Sequence, residues 1–569
     1  MNMDPLDISE ANAETQKLPK LHLRSDDKGA QKLPKRHRWS DDEEGEKVLQ
    51  LDTLERNEDT QKLSKLVEQK ENEGYSALLQ RLAKNSGIYA LASLTSPLVS
   101  LVLAPFLTHN LSRSDYGALV VLNTFVALIA GVTQLGLNSA FFRAYEYDYT
   151  SKRDRLDVVS TLFLSLLLIS LGISVVELLV APFLAVFLLG SLSFTNAIRV
   201  CALVIIIQNL TVPGLCWLRA ESRATFFSIV SIINLLLSAG ATIIFVGRIH
   251  LGIEGALLAS AVGNAVIVIA TLPAIIVQAG LRLRLDIGRG MLVFGVPHMF
   301  SLLSTWILQL MDRYLLGLLG SLVQVASYSI AYSLGGALST LLIAPFSLAW
   351  WVILYSIAKR NDAVRVFQLI FRWYAIVALF MAFGLSIVGV IVLDLFFPPS
   401  YVSATPIIPV IALSMVFNAI NIIVALGISL TRKTWFATIA ITSSALINTL
   451  LNFVLIPVYG AMGAALATLV AYIALSVISY AINQRLYPVP FEIGRFLLAL
   501  FVGIALYIGS SWLGQGQSKY VAWGIAIGAL VVYGGCLLFW GISRNKYTDG
   551  NSIKIWRNLP YEGSAAYKR

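Results

Sequence analysis

Charge is scarce in this chain. Only 13% of its 569 residues are Asp, Glu, Lys or Arg, about half the share of an average soluble protein, and the mean hydropathy is +0.72. A single water-soluble globule is excluded. Cysteine is scarcer still: Cys201, Cys216 and Cys536 all sit inside apolar runs without metal-ligand spacing, so neither a disulfide framework nor a metal site is implied. The five histidines are scattered with no His-Glu-x-x-His pair, and no Gly-rich loop ends in Lys-Ser or Lys-Thr, so direct ATP use and zinc-hydrolase chemistry find no support. The loops are too short for a catalytic domain, and no acids cluster at one face. The chain therefore does not read as an enzyme, and no cofactor is expected. Residues 1–84 contain no apolar run of the roughly 7 to 15 residues that a signal-peptide core needs, so this tail is expected to stay on the cytoplasmic side.

The charge that is present is unevenly placed. Residues 1–84 hold 15 of the 43 Lys+Arg and 18 of the 33 Asp+Glu, leaving 28 bases and 15 acids for the rest, so the tail is near −3 and the body near +13. In so apolar a chain, the positive balance reads as membrane topology rather than as a nucleic-acid surface. The tail repeats Gln16-Lys17-Leu18-Pro19-Lys20 as Gln31-Lys32-Leu33-Pro34-Lys35. A unit this short and charged buries no core, and disorder is expected. Just before the apolar region, Tyr75, Leu78, Leu79 and Leu82 fall at helical spacing beside Arg81 and Lys84, which suits a short interfacial helix.

A bilayer core of about 30 Å needs about 20 apolar helical residues. Such runs fall near 87–107, 118–140, 158–189, 198–218, 225–247, 253–278, 291–316, 325–356, 366–396, 405–427, 434–457, 461–483, 494–513 and 520–543. These are spans 1 to 14. Loops after the even-numbered spans carry 16 Lys and Arg against 4 in the odd-numbered loops. By the positive-inside rule both termini are then cytoplasmic.

An internal repeat divides the body. Gly252-Ile253-Glu254-Gly255-Ala256 after span 5 is echoed, 208 residues on, by Gly460-Ala461-Met462-Gly463-Ala464 after span 11. Six intervening spans keep both copies in the same orientation. The expected fold class is an all-α polytopic membrane protein with about 14 transmembrane helices, in two parallel six-helix lobes related by a pseudo-twofold axis plus a C-terminal helix hairpin. The expected boundaries are 1–84 for the tail, 85–285 and 286–485 for the lobes, 486–545 for the hairpin and 546–569 for a cytoplasmic C-terminal tail.

The chain resembles the bacterial polysaccharide and O-antigen flippases of the multidrug/oligosaccharidyl-lipid/polysaccharide transporter superfamily over about residues 84–545. The resemblance rests on Gly136-Leu137-Asn138-Ser139-Ala140 with Arg143, Phe294-Gly295-Val296-Pro297, Asp312-Arg313-Tyr314-Leu315-Leu316-Gly317, Tyr328-Ser329-Ile330-Ala331-Tyr332 and Asn452-Phe453-Val454-Leu455-Ile456-Pro457, in that order. The charged N-terminal tail departs from the pattern. The resemblance implies a V-shaped pair of lobes around a cavity, and alternating access that moves an undecaprenyl-pyrophosphate-linked oligosaccharide from the cytoplasmic to the outer leaflet of a bacterial plasma (inner) membrane for surface polysaccharide, O-antigen or lipopolysaccharide assembly. It also implies contact with membrane lipids and polysaccharide assembly proteins, and none with nucleic acid. A cation-coupled exporter of small molecules in the same superfamily is the alternative.

Ionisable groups within spans are costly, and each is a functional candidate. Arg143 and Arg219 close spans 2 and 4 on the basic side, as substrate contacts for an anionic headgroup or as plain positive-inside anchors. His298 follows Pro297 in span 7, as a substrate contact or a packing residue. Asp312 and Arg313 end span 7. Neighbours on a helix do not face each other, so each is expected to find a separate partner: Arg313 a pyrophosphate, a lobe-latching carboxylate or, by snorkelling, the outer surface. Asp312, Glu177 and Asp394 are the candidates for ion coupling or a lobe latch. Pro97, Pro213, Pro297 and Pro345 interrupt spans and mark candidate bends.

Overall fold

The structure is a computed structural model, and it describes residue 99 and residues 102–542 apart from 359, 361 and 432. The repeat-bearing tail, the juxtamembrane helix of Tyr75 to Lys84, most of span 1 with Pro97, and the C-terminal tail lie outside the described residues. Among those described, every regular element is helical. Twelve helices long and apolar enough to cross a membrane stand at the expected positions of spans 2–6 and 8–14. Span 7 is the 35-residue helix Leu285–Leu319. The chain is a multi-pass membrane protein.

Local sequence explains where several helices begin. Ser112 and Ser151 each stand three residues before an aspartate. The Ser112 hydroxyl accepts from Asp115 N at 3.0 Å and donates to its carboxylate at 2.8 Å; Ser151 and Asp154 repeat this at 3.1 and 2.8 Å. This reciprocal cap satisfies amides that a first helical turn leaves open. It starts the helices Arg113–Thr133 (span 2) and Lys152–Leu189 (span 3). The long spans differ in character. Spans 3 and 9 are unbroken, at 38 and 34 residues. Span 8 instead runs as Leu322–Gly335, a π-helical turn Ser339–Ile343 and Ala344–Ile357, with Pro345 just after the π turn. Pro213 lies inside the continuous helix Thr195–Ala220.

The 208-residue repeat is visible in the packing. Span 3 packs on span 4, span 4 on span 6 and span 5 on span 6; their counterparts, 9 on 10, 10 on 12 and 11 on 12, do the same. Gly252 and Gly460, one repeat apart, both take left-handed backbone, at φ +60° and +55°, which glycine adopts without steric cost. The two groups meet chiefly where span 2 packs on span 8 and where span 7 runs along spans 2 and 3.

Spans 13 and 14, Ile493–Gly514 and Lys519–Ile542, pack on each other and on span 9. A buried pair pins them. The Arg372 Nε in span 9 lies 3.1 Å from both Glu492 carboxylate oxygens, and Trp540 in span 14 donates to the same carboxylate at 3.3 Å. Removing one partner of such a pair would strand a buried charge.

Candidate functional site

Spans 2, 3 and 7 enclose an apolar cavity of about 380 Å³, walled by Thr124, Phe125, Leu128, Phe187, Trp306 and Tyr314 among others. Toward the end carrying the basic loops, a second cavity of about 250 Å³ shares Leu128 and Trp306 and adds the polar groups Gln134, Asn138 and Ser139. The lining thus passes from hydrocarbon to amide along one path.

Arg143 and Arg219 converge at the polar end. Arg143 closes the short helix Leu137–Arg143, with its guanidinium 4.8 Å from the Phe294 ring centre and 3.6 Å from Asp148. Arg219 lies 5.1 Å from the Phe142 ring centre and 3.5 Å from the Asn138 amide oxygen. Arg219 therefore stands at the Asn138 mouth, and Arg143, at the end of the helix that carries Asn138, reaches across to span 7. Stacking of this kind is a property of Arg that Lys does not reproduce.

The two groups of helices touch at both ends of this path. At the basic end Gly136 packs so closely on the backbone of Gly295 that a side chain would collide with it. At the opposite end Gly117 meets the backbone carbonyl of Leu322 in the same way. There Arg113 donates to Ser327 at 2.8 Å and Ser403 at 3.2 Å, and its guanidinium lies 5.3 Å from the Tyr401 ring centre. Burial, partly offset by Arg113, pushes the Tyr401 phenol up to about 12, so it is neutral at physiological pH. Arg113 carries no sign of this role in the sequence, where it is one of four cations in the poorly charged loops.

Asp312 and Arg313 depart from expectation. They pair directly, with Arg313 Nη1 3.2 Å from Asp312 and 2.7 Å from the Gln309 carbonyl. The long Arg side chain folds back along its own helix, and its guanidinium lies 4.2 Å from the Tyr332 ring centre. With 11% of the Arg313 side chain exposed, it does not snorkel. The Asp312 carboxylate also accepts from Tyr328 and, at 3.4 Å, from Thr468. Asn448 and Asn452 extend this buried chain, Asn452 donating to Asn448 at 3.0 Å. Every one of these partners lies between residues 309 and 468, so the described contacts of Asp312 do not latch it to the first group of spans. Tyr328 and Tyr332, and Asn448 and Asn452, each sit four apart on a helix. That spacing is a readable sign of a shared polar face.

The remaining candidates stand apart. Glu177 is buried in span 3, and neither carboxylate oxygen has a hydrogen-bond partner. Asp394 is half-buried in the last turn of span 9. His298 lies in the span 7 helix, and its side chain is outside the described residues. The structure places Arg143 and Arg219 at the same end, pairs Asp312 with Arg313, and gives Glu177 and Asp394 no ion pair among the described residues.

Residues 106–406, more than half of the chain, match the family described as polysaccharide biosynthesis protein. The chain belongs to this family. Among curated proteins none matches it in sequence. Its fold is that of a solved structure described as "Lipid II flippase MurJ, inward closed conformation", with a TM-score of 0.59 at 16% identity, covering 79% of this chain and 98% of that one. It is also similar to an inward-facing multidrug resistance MATE family transporter of the MOP superfamily, with a TM-score of 0.53 at 13% identity over 70% and 97% of the two chains. The family match and the shared fold agree with the resemblance carried by the Gly136–Ala140, Asp312–Gly317 and Tyr328–Tyr332 motifs.

Proposed function

We propose that this protein moves a lipid-linked oligosaccharide from the cytoplasmic to the outer leaflet by alternating access, in two lobes, 85–285 and 286–485, that rock about the cavity of spans 2, 3 and 7. The reading is carried by the convergence of Arg143 and Arg219 at the Asn138 mouth of a path whose deeper wall is apolar. An undecaprenyl-pyrophosphate-linked glycan has the matching chemistry: an anion for the two guanidiniums, hydroxyls for the amides, and a polyprenyl chain that stays in hydrocarbon. The basic loops orient the mouth toward the cytoplasm, with both termini on that side, in the inner membrane of a bacterium assembling surface polysaccharide. Gly117 with Leu322 and Gly136 with Gly295 are the two contacts that would open alternately, and Arg113 is the outer tie.

Ion coupling belongs to this reading as well. Glu177, buried and unpartnered, is the acid best placed to load and release a cation or proton, because Asp312 is already neutralised by Arg313. The same observation favours the second reading, a cation-coupled exporter of small molecules. Deletion of the gene separates them. A flippase deletion strands lipid-linked oligosaccharide on the cytoplasmic leaflet, as read by its resistance to an externally added glycosidase in spheroplasts. An exporter deletion leaves that distribution unchanged and alters drug susceptibility instead.

A further inference from the structure

Behind the Arg143 and Arg219 mouth lies a cavity of about 340 Å³ that the transport path does not use. Residues two apart on a helix point about 200° from one another, so Trp217 faces away from Arg219 on the same helix, and it lines this second space. The walls come from three loop regions. Tyr145 is supplied by the π-helical turn Ala144–Asp148 at the end of span 2, Lys152 and Arg155 by the start of span 3, and Glu221 and Arg223 by the turn after span 4. Three cations and one carboxylate leave the lining net positive. The carboxylate is engaged, since Glu221 accepts a hydrogen bond from the Tyr145 hydroxyl.

The cations are arranged by aromatic rings rather than by acids alone. Arg155 lies 5.2 Å from the Tyr145 ring centre and Arg223 5.9 Å from that of Trp217. Arg155 has one weak ion pair, at 3.7 Å to Glu146; Lys152 and Arg223 have none among the described residues. Trp217 is buried, and its indole N–H has only the Tyr145 hydroxyl beside it, at a geometry too poor for a full hydrogen bond. A buried donor so poorly satisfied costs free energy that an acceptor in the cavity would recover. The turn that carries Glu221 and Arg223 is strained: Ser222 holds φ +56°, a left-handed conformation that non-glycine residues keep only where the surroundings enforce it. π turns like the one that presents Tyr145 also recur at functional sites.

We propose that this cavity binds a phosphate-class anion, held by Lys152, Arg155 and Arg223 with the Trp217 N–H as the oriented donor. The site is separate from the transport path and sets the ends of spans 2, 3 and 4 relative to one another. Guanidinium and ammonium groups form their strongest hydrogen bonds with such oxyanions. A soluble phosphate and an anionic lipid headgroup share this chemistry, and the basic loop ends lie where a headgroup would reach.

The test uses the full-length protein and its unfolding temperature. In detergent at constant ionic strength, inorganic phosphate is titrated against chloride; in phosphatidylcholine nanodiscs, the response to added phosphatidylglycerol is measured. Saturable stabilisation by phosphate identifies a soluble anion as sufficient, and stabilisation by phosphatidylglycerol alone identifies the headgroup. Either response is expected to fall about tenfold in apparent affinity for each charge-assisted hydrogen bond removed by K152Q and R223Q, both at exposed positions that folding tolerates. W217F, which keeps an aromatic side chain but removes the N–H, weakens the response, and R143Q, on the transport side, keeps it. The proposal is overturned if the wild type responds to neither probe, or if the K152Q/R223Q double variant responds as the wild type does. Loss of the response in R143Q alone would also overturn it, by placing the anion in the transport path.

Discussion

Arg113, in the first turn of span 2, donates a 2.8 Å hydrogen bond to Ser327 in span 8. It thereby joins the two groups of helices at the end away from the basic loops, beside the Gly117 and Leu322 contact. If the outer end opens during transport, this bond must break. R113A is expected to weaken closure by about 1 kcal/mol, since bonds to charged donors are worth more than neutral ones but this one is partly solvated. The check is the reaction rate of a Ser403→Cys reporter with a membrane-impermeant maleimide, in a C536S background because Cys536 is exposed. The rate should rise several-fold with R113A.

Gly117 and Gly136 should tolerate no side chain. In each, an added methyl meets backbone of the opposite group rather than a movable side chain. G117A should block closure of the outer end and G136A closure of the basic end. Both should reduce transport by about fivefold to a hundredfold, because overpacking at rigid contacts costs roughly 1 to 3 kcal/mol. Protein abundance should hold, as read by immunoblot of membranes.

Arg143 and Arg219 separate headgroup contact from simple anchoring. If they only mark the cytoplasmic side, Lys serves equally well. Planar stacking on Phe294 and Phe142 instead predicts that R143K and R219K lose much of the activity that R143A and R219A lose, with insertion topology unchanged. Transport assays alongside accessibility mapping of the loops decide between them.

The Asp312 and Arg313 pair should behave as structure first. An Arg in contact with substrate alone would leave abundance intact when replaced by Ala. Buried against Asp312 and Tyr332, Arg313 is expected to lower it: R313A or D312N strands a buried charge at a cost of about 3 to 5 kcal/mol, read as loss of folded protein in size-exclusion chromatography. D312N/R313Q should recover part of it.

The basic end carries a second, exposed cluster. Arg284 contacts Asp286 at 2.6 Å and Asp154 at 2.9 Å, and holds the Asp286 carboxyl below its usual range. A carboxyl depressed in the folded state contributes stability that is present above its unfolded value near 4 and is lost as pH falls through the folded value. Thermal unfolding of D286N should therefore match the wild type in its slope between about pH 6 and 8, and the two should converge only under acid conditions.

Much of this protein is decided one dimension at a time. Span lengths, the Ser112 and Ser151 caps and the 208-residue echo depend on local spacing. A helix satisfies its backbone within itself, and a bilayer demands that of every span. The paired helix contacts and the matching left-handed Gly252 and Gly460 follow from that repeat. The polar candidates are legible as residue types, because an ion in an apolar run is conspicuous wherever it points. Their partners are not. Whether Arg313 faces lipid, a pyrophosphate or Asp312 depends on how a long side chain folds back between spans 7 and 8, and no spacing encodes that. In the sequence Arg113 is a stray loop cation, and Tyr145, Trp217 and Arg223 are unrelated positions, one at the end of a span and two in short loops. Only the tertiary structure brings residues 76 to 290 positions apart into hydrogen-bond range, because contacts across a bundle are set by helix rotation and register, which composition leaves open.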